Sequence, residues 1–285
     1  MEDSFVAERV GCLNNCDLNR GKLDFAALAQ RNNALIGEVN GSRLYFAPVG
    51  NFPESPKVIV CGKTAGKDTK DDFWNLIRYG VSPGSAARQT VYSNMRGNLF
   101  RALEHIGLFD YLAENTPYWR GGEPRDLWEN IFTDDKASRI CGIQLTQACN
   151  CSIVRLSKGR ENSKQPNRTT MNKLCKSAPD CLFRSFILTP SLRLIIFLDT
   201  PAEDNQFHPS KFLERSSFLR RHDLSHVHII SITHPSGQNN DIYITLERLE
   251  ELADEEPDLR KRSRYRNAAC LFAVARKTVE EMARD

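Results

Sequence analysis

Four short apolar runs set the strongest limit on how this chain can fold: Lys57-Val-Ile-Val-Cys61, Ile140-Cys-Gly-Ile-Gln-Leu-Thr146, Leu192-Arg-Leu-Ile-Ile-Phe-Leu198 and Val227-His-Ile-Ile-Ser-Ile-Thr233. Each is rich in β-branched residues, and its hydrophobicity is continuous rather than alternating. Such runs suit strands covered on both faces, as in a parallel sheet. The stretches between them are long enough for crossover helices. The clearest, Asn98-Leu-Phe-Arg-Ala-Leu-Glu-His-Ile-Gly107, repeats apolar residues at helical spacing and stops at a glycine. The pattern predicts an α/β chain, a doubly wound three-layer fold around a central four-stranded parallel sheet. It reads as a single domain over residues 1–285, with insertions at about 69–91 and 155–180. A helical extension is expected from about residue 241, its last amphipathic helix running from about Asn267.

In open parallel sheets ligands bind at the carboxyl ends of the strands. The segments that follow the four runs are Gly62-Lys-Thr-Ala-Gly66, Gln147-Ala-Cys-Asn150, Asp199-Thr-Pro-Ala-Glu203 and His234-Pro-Ser-Gly-Gln-Asn-Asn240. All are polar or glycine-containing, so the fold would bring them to one crevice.

Charge narrows the partners. The chain holds 39 Lys plus Arg against 36 Asp plus Glu, a net +3, so any nucleic-acid surface must come from local clustering. Between Arg155 and Arg184 eight cations stand against Glu161 and Asp180, a local excess of six. This segment reads as a loop or short-helix insertion on the site side of the sheet, with Lys158, Arg160, Lys164 and Arg168 as candidate DNA phosphate contacts. A second cluster, Arg260-Lys-Arg-Ser-Arg-Tyr-Arg266, offers the same chemistry. No apolar run is long enough to span a membrane and the first ten residues are not signal-like, so the expectation is a cytoplasmic, monomeric protein.

Nine cysteines are too many, and odd in number, for a disulfide framework in such a setting. Cys61, Cys141 and Cys270 are read as small buried hydrophobes. The others are open to metal ligation.

Gly62-Lys-Thr-Ala-Gly66 after the first run, paired with His234-Pro-Ser-Gly-Gln-Asn239 after the last, resembles the two signature loops of the uracil-DNA glycosylase superfamily. The resemblance runs from about Cys12 to Asn240 and is closest to the iron-sulfur-containing branch. Cys12-Leu-Asn-Asn-Cys16 resembles that branch's opening cysteine pair. Tyr92, ahead of Asn98-Leu-Phe, looks like its base-stacking aromatic. Leu145-Thr-Gln147 stands where the family has Ile-Thr-Asn. The resemblance therefore implies a [4Fe-4S] cluster held by Cys12, Cys16, Cys151 and Cys175, with Cys181 the alternative fourth ligand. Four thiolates drawn from a local pair and a distant loop are a usual donor set for such a cluster.

The implied activity is hydrolysis of the N-glycosidic bond of a flipped-out base in DNA, leaving an abasic site, in base excision repair or in defence against modified phage DNA. His234 would donate a hydrogen bond to the leaving base. Gly62, Thr64, Ala65, Gly66, Tyr92, Gln147, Ser236 and Asn239 would line the base pocket. The first loop departs from the family pattern: Lys63 and Thr64 stand where a carboxylate or its neighbour is usual. Asp68 is the nearest carboxylate able to orient water. Lys63 could contact phosphate, donate to the base, or attack the sugar carbon as an amine. Together with Gln147 in place of Asn, these changes point away from plain uracil and toward a modified or non-canonical pyrimidine. The alternative is a catalytically inactive iron-sulfur protein that binds nucleic acid.

Overall fold

A computed structural model describes residues 35–39, 42–149, 151–157, 160–162, 183, 185–199, 216, 219–235 and 239–284. Eight strands form two sheets among these residues. The central sheet contains β3 (Val58–Thr64), β4 (Ile143–Cys149), β7 (Leu194–Asp199) and β8 (His228–Thr233) in the order β4-β3-β7-β8, and every pairing is parallel. These are the four apolar runs. The α/β class and the parallel sheet thus stand as expected.

The strand ends differ from the sequence reading in a way that matters for the site. Ile140 closes α6 (Asp135–Ile140) and Cys141 caps it, so Cys141 is buried but is not a strand residue. Gly142 turns the chain with φ 71°, and β4 starts at Ile143. Gln147 therefore belongs to the strand. Likewise Gly62, Lys63 and Thr64 extend β3, with Gly62 opposite Gln147 and Thr64 opposite Cys149. Only Ala65 and Gly66 link β3 to the next helix.

A second, antiparallel sheet was not expected from the sequence. It comprises β1 (Leu35–Val39), β2 (Ser42–Phe46), β5 (Cys151–Ser157) and β6 (Arg160–Asn162) in the order β1-β2-β5-β6. The start of the basic 155–184 segment is thus strand rather than loop. Ser157 pairs with Arg160, with two residues between them. Lys164, Arg168 and Cys175 lie outside the described residues, and so do Lys158, Cys181, Cys12, Cys16 and Ser236.

The span between β3 and β4 holds α1 (Lys67–Arg78), α2 (Pro83–Thr90), α3 (Arg96–His105), α4 (Leu108–Asn115), α5 (Pro124–Thr133) and α6. The insertion expected at about 69–91 coincides mostly with α1 and α2. Local chemistry sets their starts. The Ser82 hydroxyl accepts from Ser85 N at 3.4 Å with Pro83 in the first turn of α2, and Asp134 accepts from Ala137 N at 2.9 Å at the start of α6.

After β8 come α7 (Asn240–Ile244), α8 (Leu249–Glu255) and α9 (Leu259–Met282). The last helix starts eight residues before the expected Asn267, because Asp258 accepts from Arg260 N and Lys261 N at 2.8 and 3.0 Å. The basic 260–266 cluster is therefore helical. Cys270 on this helix is exposed, which corrects its reading as a buried hydrophobe.

The core divides along the sheet. Val58, Val60, Ile143, Leu145, Leu194, Ile196, Ile230 and Ile232 face one large cluster shared with α1–α5 and α7–α9. Ile59, Cys61, Ala148, Ile195 and Phe197 face a smaller one with Phe183, Phe186, Leu192, Leu219 and Val227. Strand alternation puts Gly62 and Gln147 in register with the first set.

Candidate active site

The carboxyl edge of the central sheet brings three of the sequence candidates together. A Cβ added to Gly62 would lie 2.4 Å from Gln147 Oε1 and 2.9 Å from the Tyr92 hydroxyl oxygen. The glycine is needed for space: the Gln147 amide rests directly over its backbone. Tyr92 donates its hydroxyl proton to the Thr146 carbonyl at 2.6 Å, which spans the loop to β4. Its own backbone lies in the left-handed region, φ 52°, where a bulky residue costs roughly 1–2 kcal/mol. Burial pushes the Tyr92 hydroxyl well above its usual pKa, as does the neighbouring Cys61, while the Gly62 backbone acts in the opposite direction. The hydroxyl is therefore neutral and a donor throughout the working pH range.

Tyr92 is only 2% exposed. A ring that stacks on a base needs an open face, so this structure gives Tyr92 the geometry of a wall and a hydroxyl donor.

Gln147 is 5% exposed, and its Oε1 has no hydrogen-bond partner among the described residues. A buried acceptor left unpaired costs about 1–3 kcal/mol. Its backbone carbonyl, by contrast, accepts from the Ser185 hydroxyl at 3.2 Å. The polar side chains behind it are satisfied as well: Gln144 donates to the Ser185 carbonyl at 2.6 Å and accepts from Ile187 N at 2.9 Å. Among the described residues Thr116 Oγ1 and Trp128 Nε1, away from the strand end, are also buried without a partner. Two hydroxyls at the strand end, Ser93 beside Tyr92 and Thr233 at the end of β8, likewise lack partners among the described residues.

His234 follows Thr233 and is half-buried. Its carbonyl accepts from Asn239 Nδ2 at 2.9 Å, and the preceding Thr233 carbonyl accepts from the Tyr243 hydroxyl. Asn239 is therefore a clamp on the His234 backbone. Tyr243 was missed by sequence reasoning; its only signal was a buried-type aromatic at helical spacing within Asp241-Ile-Tyr-Ile. Burial raises the Tyr243 pKa, which keeps the clamp protonated. Since β4 and β8 are separated by β3 and β7, Gln147 and His234 sit on strands about 14 Å apart. The Gln147 side chain leans over β3 at Gly62.

Gly66 is exposed and caps α1; its carbonyl accepts from Lys70 N at 3.0 Å and from the Ser152 hydroxyl at 3.4 Å. Ala65 is buried. Asp68 lies exposed in the first turn of α1. Lys63 and Thr64 take strand positions at the end of β3, and Cys151 opens β5. Among the described residues no three His, Cys, Asp or Glu side chains stand together as metal ligands. None of the described helices is long and apolar enough to cross a membrane.

The second basic cluster is largely engaged with the protein itself. Arg264 pairs with Asp241, Arg266 with Asp254 at 2.9 Å, and Arg262 Nε donates to the Glu256 carbonyl at 2.6 Å.

Comparison with family models, curated proteins and solved structures finds no match.

Proposed function

We propose that this chain is a DNA glycosylase of the uracil-DNA glycosylase superfamily, acting on a flipped-out modified or non-canonical pyrimidine. The observation that carries the reading is the buried amide oxygen of Gln147, unpartnered among the described residues and held over Gly62 at the carboxyl edge of the parallel sheet. A primary amide offers one acceptor and one donor, the complement of a pyrimidine edge. A bound base edge that donates to this oxygen would offset its desolvation cost.

Flipping a nucleotide costs a few kcal/mol in lost stacking and pairing, which contacts to the phosphates must offset. Arg160, opposite Ser157 at the far end of β5, and, nearby in sequence, Lys158, Lys164 and Arg168 would supply that charge. In the pocket Gln147 reads the base edge and Tyr92 holds the wall. Water attacks the sugar C1′, the bond from C1′ to the base nitrogen breaks, and the base departs with the electron pair. His234 donates to the carbonyl oxygen on which that charge gathers, a contact worth about 2.7–4 kcal/mol. Asp68 orients the water and takes its proton. Lys63, at the end of β3, is the further cation of the site, available to a phosphate, the base or the sugar carbon. The proposal includes a [4Fe-4S] cluster on Cys12, Cys16, Cys151 and Cys175, whose four thiolates suit it. When bound, the cluster would tie the chain's start to β5, and no step above uses it.

The test is an abasic-site cleavage assay on oligonucleotides bearing a panel of modified pyrimidines. Excision of at least one base is expected, and His234→Ala should slow the single-turnover rate by about 100- to 1,000-fold while leaving the fold intact. DNA binding without excision of any base would instead favour the nucleic-acid-binding alternative, which the exposed setting of Asp68 and the lack of a carboxylate from Gly62 to Gly66 permit.

A further inference from the structure

The segment carrying His234 is held from the far end of the chain. Asp241, in the first turn of α7, pairs through Oδ2 with the Arg264 guanidinium and accepts from the Tyr265 hydroxyl at 3.1 Å. Both partners belong to α9. On the same short helix Tyr243 grips the Thr233 carbonyl, and just before it Asn239 grips the His234 carbonyl at 2.9 Å. Asn98, near the start of α3, adds a third tether by donating to Asn240 Oδ1 at 3.2 Å. Two successive carbonyls flanking the His234 backbone are therefore fixed by side chains from one short segment, and that segment is fixed in turn by α9.

Arg264 and Asp241 are only partly exposed, and Tyr265 is buried. That is not the setting of a cation presented to a phosphate. The sequence offers 260–266 as a nucleic-acid patch, but the contacts turn its central residues inward.

We propose that Asp241, Arg264 and Tyr265 are positioning residues for His234, transmitting the placement of α9 to the hydrogen-bond donor through Tyr243 and Asn239. This rests on the reading of His234 as the donor to the leaving base. The charge pair sets where α7 sits, α7 sets the two carbonyls, and the carbonyls set the direction in which His234 leaves β8. A misplacement of about 1 Å at a reacting group can lower a rate by roughly 100-fold.

The experiment uses Asp241→Asn, Arg264→Gln and the double variant in the full chain. Arg264→Lys serves as the conservative variant and Arg260→Gln as the control on the same turn. Three quantities are read: the single-turnover excision rate at saturating enzyme, the DNA affinity with its salt dependence, and the His234 ring resonances by NMR. Positioning predicts that Asp241→Asn and Arg264→Gln each lower the saturated rate roughly 10- to 100-fold. The double variant should be no slower than the slower single one, with affinity and salt slope unchanged and partial recovery in Arg264→Lys. Arg260→Gln should keep the wild-type rate. A phosphate contact predicts the reverse: Arg264→Gln weakens binding and flattens the salt slope, Asp241→Asn tightens binding, and the saturated rate holds. That pattern would overturn the proposal. The NMR reading stands apart from activity. If no base is excised, the glycosylase reading fails, and unshifted His234 resonances in both variants would sink the positioning role as well. Shifted resonances would uphold the mechanical link by themselves.

Discussion

Gly62→Ala tests the geometry of the site with a single methyl group. The added Cβ would lie 2.4 Å from Gln147 Oε1 and 2.9 Å from the Tyr92 hydroxyl, both far inside van der Waals contact. Gln147 can swing away at the end of a flexible side chain. Tyr92 cannot move as easily, since its hydroxyl is fixed to the Thr146 carbonyl and its backbone is already in the left-handed region. Overpacking of this kind costs about 1–3 kcal/mol, and the hydrogen bond at stake is worth about 1 kcal/mol. A loss near 2 kcal/mol should lower Tm by roughly 4–8 °C, at about 2–4 °C per kcal/mol for a chain of this size class. Function should suffer more. On the proposed reading, displacing the amide would remove its two hydrogen bonds to the base, so kcat/KM for excision should fall between about 10- and 100-fold. Gly66→Ala is the control, because its Cβ would meet nothing within 4 Å; its stability should stay within about 1 kcal/mol of wild type. Thermal denaturation and single-turnover excision on the two variants give the answer. Wild-type stability and excision in Gly62→Ala would refute both the close approach and the assignment of Gln147 to the base edge.

Asn51 accepts from Leu145 N at 2.6 Å and donates to the Ile143 carbonyl at 2.9 Å, satisfying the outer edge of β4. Asn51→Leu leaves the Leu145 N–H buried and unpaired and the Ile143 carbonyl with the weak Cys141 thiol donor at 3.3 Å, and should cost about 1–3 kcal/mol in urea denaturation. Replacing Lys158, Arg160 and Lys164 together with Ala should weaken DNA binding for all sequences alike and flatten its salt dependence by about 0.9 for each phosphate no longer neutralised, measured between about 50 and 200 mM salt. At Asp71 burial raises the carboxyl pKa, but hydrogen bonds and charge from Lys67 and Lys70 outweigh it and hold the group below its usual value. A depressed folded pKa gives stability that is complete above about pH 4 and is lost as the pH falls through the folded value. Asp71→Asn should therefore flatten the acid limb of a stability-versus-pH curve below about pH 4 and remove a constant increment above it.

Much of the central sheet was legible because buried parallel strands leave an unbroken apolar signature. The misplaced start of β4 shows the limit of that signature: Ile140 is an exposed apolar residue that closes a helix, Cys141 caps it in the core, and the positive φ of Gly142 separates the two elements. The second sheet was not legible for a different reason. In β5, Cys151-Ser-Ile-Val-Arg-Leu-Ser157 carries a single charge, Arg155, but runs directly into a basic segment, and its partner β2 lies far away in sequence. Pairing at that separation leaves no local trace. At the site, Gly62, Tyr92 and Gln147 were named together only through a resemblance, whereas the burial of Tyr92 and the inward pairing of Arg264 depend on which neighbours the fold supplies.

The antiparallel sheet also has a bearing on how the chain is made. Phe46 ends β2 opposite Cys151, about 100 residues later, and β5 cannot form until β4 has left the ribosome. At roughly 5–20 residues per second, the paired β1 and β2 would wait on the order of 5–20 s with the β2 edge that β5 later covers still open. During synthesis that edge is where a chaperone would find this nascent chain, and where two nascent chains on one message would be most prone to pair with each other.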